Sequence, residues 1–306
     1  MSITHLVTHN GGFHADELLS SVVLTRLFPM AELIRTRSAQ WIEPGCGRII
    51  YDVGRDYDAE RGIFDHHQKD APLRDDGQPF SSFGLVWRHY GRDYLRLSGI
   101  PEGDIADIHA SFDRDFVLPI DLLDNGALSP SVAGPLSGLT LPMLLESLKP
   151  VFDDPAQDAD DRAFNWALVI ARAFVEASIA RKASRRRAAG IVRDAIVQAG
   201  EGRVLELPQG MPYRKAVIAS GADHLLFVVH PRDGGDWALN GIRLEDDGFA
   251  LRADLPTSWA GLTDHALEEA AGVSGAKFCH NARFIAVADS RDAIMEMARI
   301  AVAEAE

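Results

Sequence analysis

Asp65-His66-His67 places a carboxylate beside two imidazoles at the end of a short apolar stretch, Gly62-Ile63-Phe64. Two clusters of the same kind precede it: His9-Asn10-Gly11-Gly12-Phe13-His14-Ala15-Asp16-Glu17 and Tyr51-Asp52-Val53-Gly54. Mixed imidazole and carboxylate suits manganese, iron or zinc better than calcium. Carboxylates packed together without a cation repel, and some take up protons. A divalent cation relieves that repulsion. Two cations about 3.5–4 Å apart activate a water and stabilise both oxygens of an in-line phosphoryl displacement, and one cation in the same cage is still a competent hydrolytic centre.

Each cluster also has a plainer reading. His9, His14 and Asp16 share a loop that Gly11 and Gly12 let fold sharply, so all three can face one point. The same loop also reads as a helix cap with surface histidines, and it lacks both GxxxxGK[ST] and GxGxxG of a phosphate cradle. Asp52 emerges at a strand end, where aspartate also serves turns and N-caps. His66 and His67 on extended backbone point to opposite sides, giving one metal ligand and one substrate-facing imidazole. Asp121 or Asp124, in Pro119-Ile120-Asp121-Leu122-Leu123-Asp124-Asn125-Gly126, completes the cage, although Asn125-Gly126 is also a turn signal. Taken jointly, Asp52 bridges, His9 and His14 hold one cation, and Asp16, His66 and Asp124 hold the other.

The elements that position these groups follow from the hydrophobic pattern. Strands are predicted over Ile3 to Thr8, Glu32 to Arg37, Arg48 to Asp52 and Gly62 to Asp65. In an open α/β sheet, ligands gather at the carboxyl ends of strands, so three clusters at three strand ends predict one shared site. An amphipathic helix opens near Ala15 through Leu18-Leu19, Val22-Val23 and Leu27. A second helix is capped by Ser81-Ser82 and stopped by Gly91. Leu141 to Leu148 is a short helix, and Pro150 to Asp161 an acidic spacer. Arg162 to Ala199 is one long helix, with Phe164, Leu168, Ala171, Val175 and Ile179 on one side. It carries Arg181-Lys182 and Arg185-Arg186-Arg187. Strands follow at Val204 to Leu207, Leu225 to His230, Trp237 to Leu244 and Lys277 to Phe278, with turns at residues 233–236 and 246–248. The chain closes with a helix over Ser290 to Ala303. The domains expected are a metal-binding α/β domain over 1–130, a helical connector over 131–200 and an α+β substrate-binding domain over 201–306.

The chain has 306 residues, 46% hydrophobic and 25% charged, as in an ordinary globular protein. No apolar run of membrane-spanning length is expected, and no signal peptide. Cys46 and Cys279 lie far apart and form no CxxC pair, which fits a reducing cytoplasm and argues against a structural zinc knuckle. A net charge of −14 argues against a broad basic nucleic-acid surface but leaves room for a local phosphate groove.

The order of these residues resembles the DHH phosphoesterase superfamily, with His14-Ala15-Asp16 where that group has an acidic D-x-D. The closer resemblance is to the melanocyte-proliferating-gene exonuclease family. It rests on His9 to Glu17, Asp52-Val53-Gly54, Phe64-Asp65-His66-His67-Gln68, Ser82-Phe83-Gly84-Leu85-Val86-Trp87 and Asp121 to Gly126. Leu255-Pro256, Trp259-Ala260-Gly261-Leu262, Phe278-Cys279-His280-Asn281 and Phe284-Ile285 extend it nearly end to end. The resemblance implies an α/β fold: a mostly parallel sheet in an N-terminal lobe of DHH-phosphoesterase type, a long linking helix and a smaller α+β C-terminal lobe. It implies one or two manganese or magnesium ions and 3′–5′ exonuclease activity on RNA or short oligonucleotides. It also sets His280 and Arg252 toward substrate, with Arg243 nearby.

On this reading His67, with Asp65 beside it, contacts the scissile phosphate while metal-activated water attacks. A small-molecule phosphatase or pyrophosphatase on the same metals is the runner-up, favoured by the acidic charge. A non-catalytic metal-binding protein is the third. No membrane partner is expected, and a homodimer is one open oligomeric state. Trp259 reads as core.

Overall fold

Leu6-Val7 and Ile49-Ile50 are buried apolar pairs of the kind that fill central parallel strands. The computed structural model, which describes residues 2–305, sets them side by side. The chain divides into two units, the first reaching Ala183 and the second beginning at Ser184.

In the first unit, β1 (His5–Thr8), β2 (Glu32–Arg35), β3 (Arg48–Tyr51), β4 (Tyr57–Asp58) and β5 (Ile63–Phe64) form one sheet in the order β2-β1-β3-β5-β4. Every pairing is parallel except that of β4 with β5. Val7 pairs with Ile50 and Tyr51 with Phe64. The carboxyl ends of β1, β3 and β5 are therefore level. His9, Asp52 and Asp65 are each the first residue past one of these ends.

Two helices cover the site side. α1 (Ala15–Leu27) is expected to be amphipathic, yet Ala15 to Leu24 are all buried. A helix enclosed on all sides cannot keep a polar face in water. Its Asp16, Glu17, Ser20 and Ser21 are accordingly buried polar groups. A short α2 (Ala39–Ile42) follows β2, and α3 (Ser82–Leu97) packs against α1. Ser81 caps α3 as predicted, accepting from the Phe83 N–H at 3.2 Å. The predicted stop at Gly91 is wrong. A Cβ on Gly91 would lie 2.7 Å from Trp87 and 2.9 Å from His109, so the glycine admits a close neighbour instead of ending the helix. That neighbour is α4 (Glu102–Phe112), whose His109 stacks on Trp87 at 5.1 Å and 10°. A π-helical turn at Asp113–Val117 leads into α5 (Leu118–Asp124). A 3-10 segment (Pro130–Leu139) and α6 (Leu141–Glu146) complete this part.

α7 (Ala159–Ala199) is a continuous helix across the range expected for one, Arg162 to Ala199. Phe164, Ala167, Ala171, Val175 and Ile179 belong to the first unit's core, and Val192 and Ala195 to a core cluster of the second. The expectation of no membrane-length segment fails here. An 18-residue window of α7 has mean hydropathy 1.4, with 28% of it buried. Arg172 and Glu176 break the apolar run in the sequence without lowering the mean below that of a spanning helix. Trp166, Val169 and Phe174 lie exposed on its outer side.

The second unit holds β6 (Val204–Glu206), α8 (Arg214–Ala219), β7 (Phe227–Pro231), β8 (Trp237–Gly241), α9 (Asp264–Ala271), β9 (Ala276–Cys279), β10 (Ile285–Ala288) and α10 (Arg291–Ala305). Its sheet runs β6-β7-β8-β10-β9, antiparallel apart from β6 with β7. The turn at 233–236 joins β7 to β8 as a hairpin, as predicted. β10 escapes the sequence pattern: Ile-Ala-Val-Ala is too short and alanine-rich to show a strand period. Trp259 is core, 1% exposed.

Candidate metal centre

Asp52 stands just past β3 in the left-handed region, φ +55°, a conformation non-glycine residues hold only when their surroundings impose it. There its carboxylate faces two imidazoles at once. Oδ2 lies 3.2 Å from His9 Nε2, and Oδ1 lies 3.3 Å from His66 Nε2. On the His66 side, Nε2 is also 3.2 Å from Asp124 Oδ2 and 3.9 Å from Asp16 Oδ2. Potential ligand atoms fall into three overlapping groups, each within 4.8 Å: His9, His14, Glu17 and Asp52; His14, Asp16 and Asp124; and Asp52, Asp65, His66 and His67.

Burial makes this cluster unstable by itself. Asp16 is 1% exposed, and neither of its carboxylate oxygens has a hydrogen-bond partner. Burial, with Asp52, Asp124 and Glu17 close by, drives its pKa well above the usual carboxylate range. Asp124 is raised by burial too, against the pull of His66. Burial alone would lower His9, but hydrogen bonds to Asp52 and Glu17 overcome it and push it up to about 10. Asp52 shows the reverse balance. Burial raises it, and His66 and His9 hold it below the ordinary range. The His66 Nε2 is likewise buried, 3.3 Å from Asp52 and 3.2 Å from Asp124 but in hydrogen-bond geometry with neither. Orphaned oxygens and an orphaned imidazole nitrogen converging on a few ångströms are the donor set of a divalent cation. The residues fit such an ion.

The surrounding groups fix the ligands. Asn125 Oδ1 lies 3.4 Å from His66 Nδ1, while its amide donates to the Phe80 and Asp121 carbonyls at 3.0 and 2.9 Å. An Nδ1–H donated there leaves Nε2 free to coordinate. Glu17 accepts the His14 backbone N–H at 2.9 Å and lies 3.0 Å from His9 Nε2. It is the ligand candidate that the sequence does not single out. It sits three residues into the helix behind His14, a position that also reads as a capping acid.

Asp121 does not join the cage. Its carboxylate accepts from Arg74 at 2.6 Å, Ser81 at 2.7 Å and the Gly84 N–H at 3.1 Å. Of the two acids, Asp124 is the one brought to the centre. Gly84 is required for this: a Cβ there would collide with the Asp121 carboxylate.

His66 and His67 also differ from expectation. Residues 65–67 lie past the strand, and the two rings sit 4.4 Å apart instead of on opposite sides. Their exposures still separate them, 6% for the His66 side chain and 55% for His67. Asp65 Oδ1 holds His67 Nδ1 at 2.7 Å, and Asp65 also accepts backbone N–H groups of His66 and Arg55 at 2.7 and 2.6 Å. That carboxylate is engaged as an orienter. Its hydrogen bond raises the His67 pKa against the opposing effect of burial.

A cavity of about 520 Å³ opens on the centre, with His14, Asp16, Asp52, His66, His67 and Asp124 in its wall. Arg243, Arg252 and His280 all belong to the second unit. Arg243 lines a separate cavity there of about 540 Å³, lying over the Phe249 ring at 4.8 Å. Arg252 is turned inward, donating to the Ala222 and Leu225 carbonyls at 2.6 and 3.0 Å and to Asp223 at 3.2 Å. His280 Nδ1 accepts from the Ala282 N–H at 2.9 Å.

Fold and site together define an α/β protein with a buried carboxylate–imidazole centre at the carboxyl ends of a mostly parallel sheet. Residues 5–302 match the family model MYG1_exonuc, described as an uncharacterised protein family (UPF0160), and the chain belongs to that family. It is 30% identical to the human MYG1 exonuclease over 331 aligned positions, covering 99% of this chain and 87% of the human protein. A MYG1 protein of Schizosaccharomyces pombe is 29% identical, with 98% of each chain covered.

Proposed function

We propose that this chain is a metal-dependent phosphodiesterase of the DHH kind, acting as a 3′–5′ exonuclease on RNA or short oligonucleotides with manganese or magnesium. The exonuclease name of its relatives supports a nuclease-like hydrolase. The observation that carries the metal requirement is the buried Asp16 carboxylate, both oxygens unpartnered, among His9, His14, Asp52, His66 and Asp124.

A bound divalent cation supplies charge stabilisation to phosphoryl oxygens and a water nucleophile at neutral pH. The chain's own residues do the rest. Asp52 holds the two halves of the cage together through its two oxygens. Asn125 and Asp124 set the His66 ring. Asp65 holds Nδ1 of His67, and this half-exposed ring lines the cavity. The Asp65 hydrogen bond favours the protonated form of His67, the form that would contact the scissile phosphate and pass a proton to the leaving oxygen.

The test is release of product from an end-labelled oligoribonucleotide with manganese, with EDTA, and with Asp52→Asn. Wild type with manganese should be active, and the other two should lose at least about a hundredfold. Equal product from wild type and Asp52→Asn would remove the assigned centre. The net charge of −14 favours a second reading, a small-molecule phosphatase or pyrophosphatase. Faster turnover of pyrophosphate or nucleoside monophosphates than of the oligonucleotide would establish it.

A further inference from the structure

A second recess, of about 700 Å³, meets the metal centre from another side. It shares His14, Asp52 and His67 with the first cavity and extends to Arg37 and Arg55. Both arginines are exposed. Among the described residues neither guanidinium has a carboxylate within ion-pair distance, whereas Arg35, Arg61 and Arg74 of the same unit each do. In a chain of net charge −14, these two guanidiniums line a recess with Asp52 and Asp65 yet form an ion pair with neither.

Their backbone is held in place. Asp52 and Arg55 both occupy the left-handed region, φ +55° and +58°, with Gly54 at +110° between them. Such conformations persist where the surroundings over-determine them, and they collect at binding sites. The Arg55 N–H donates to Asp65 Oδ2 at 2.6 Å, the same carboxylate whose other oxygen orients His67. The segment carrying Arg55 is thus fixed to the group facing the scissile phosphate.

We propose that Arg37 and Arg55 bind the phosphodiester backbone of an oligonucleotide beyond the scissile phosphate, which makes the preferred substrate a chain with at least two phosphates. This rests on the phosphodiesterase reading. Guanidinium forks match phosphate oxygens and keep their charge at any working pH. A polyanion approaching an acidic centre is repelled, and two cations at the edge of the recess offset that locally where the overall charge cannot. The substrate then runs from the first cavity across the metals into the second recess.

The test uses the full chain with Arg37→Gln and Arg55→Gln, checked for unchanged melting. Binding of a fluorescein-labelled phosphorothioate hexaribonucleotide in EDTA is followed by anisotropy across a salt series. Each variant should weaken binding about tenfold and reduce the salt slope by about 1, as loss of one phosphate contact requires. With manganese, each variant should lose at least about tenfold more kcat/KM on a hexaribonucleotide than on bis(p-nitrophenyl) phosphate, which has one phosphate. Arg55→Lys should recover part of the binding, because it restores the charge without the fork. Unchanged affinity and salt slope would overturn the proposal, and so would equal losses on both substrates. If wild type cleaves neither substrate with any metal, the phosphodiesterase reading fails, while the anisotropy arm still decides whether these arginines hold a phosphate chain.

Discussion

Asn125 stands behind His66, its Oδ1 3.4 Å from Nδ1, and so decides which nitrogen of that ring is available to a cation. Asn125→Ala should weaken manganese binding about 10–100-fold, the usual cost of losing a partner behind a ligand. An electron paramagnetic resonance titration measures this, and an unchanged affinity would contradict the role. His9 gives a prediction in pH. Its pKa is about 10 in the folded protein against 6.5 for an ordinary histidine. In metal-free protein, the protonated imidazole between Asp52 and Glu17 stabilises the fold fully below about pH 6.5 and loses that contribution as pH rises toward 10. Melting temperature in EDTA should therefore fall across this window, and His9→Gln should flatten the fall. Manganese must displace the same proton, so its affinity should rise with pH, with proton release visible by calorimetry in buffers of different ionisation enthalpy. At this scale much of the site is legible from type and spacing. His9, His14, Asp16, Asp52 and His66, from the three strand-end clusters, lie close together, and Asp124 joins them from α5. Glu17 is harder to see because a helix-capping acid and a ligand occupy the same position. Asp121 and Asp124 look equivalent in sequence, and only the Arg74–Ser81 pairing of Asp121 separates them.

Elements place these residues by simple register. β1, β3 and β5 end level, and each releases one site residue at its first position past the strand. α5 then brings Asp124 to the same point, and its position depends on Gly84 in α3. Gly84→Ala should push the Asp121 carboxylate away and cost about 1–3 kcal/mol. In the first unit, which reaches Ala183, that lowers the melting temperature by roughly 2–4 °C per kcal/mol, read by calorimetry. A variant melting within a degree of wild type would mean that α5 adapts freely. The strands, the long helix and the Ser81 cap are readable because each follows from local pattern. The misreadings share one cause, tertiary contact overriding a local signal. Gly91 looks like a stop but admits His109 against Trp87. α1 looks amphipathic, yet its polar residues turn inward to form the site and to bond Tyr51, whose hydroxyl lies 2.7 Å from Ser21 Oγ.

For the whole molecule, the acidic balance and the metal centre belong together. Part of the formal −14 charge belongs to buried carboxylates, among them Asp16 with neither oxygen hydrogen-bonded. Saturation at about a hundred times Kd adds roughly 2.7 kcal/mol to the stability of a state that alone binds the ion. Manganese should therefore raise the melting temperature of the first unit by about 5–10 °C and leave Asp52→Asn nearly unmoved. The division into two units is only partly legible, because the boundary falls inside α7, where a continuous helical pattern carries no break. The arginine pair is hidden for a related reason. Arg37 and Arg55 are eighteen positions apart in sequence and meet at one recess only through the sheet. The most direct measurement is an anomalous diffraction map of crystals grown with manganese. It should show one or two peaks, each within coordinating distance of Asp52 and of either His9 or His66. A map with manganese bound elsewhere and nothing beside Asp52 would contradict the account.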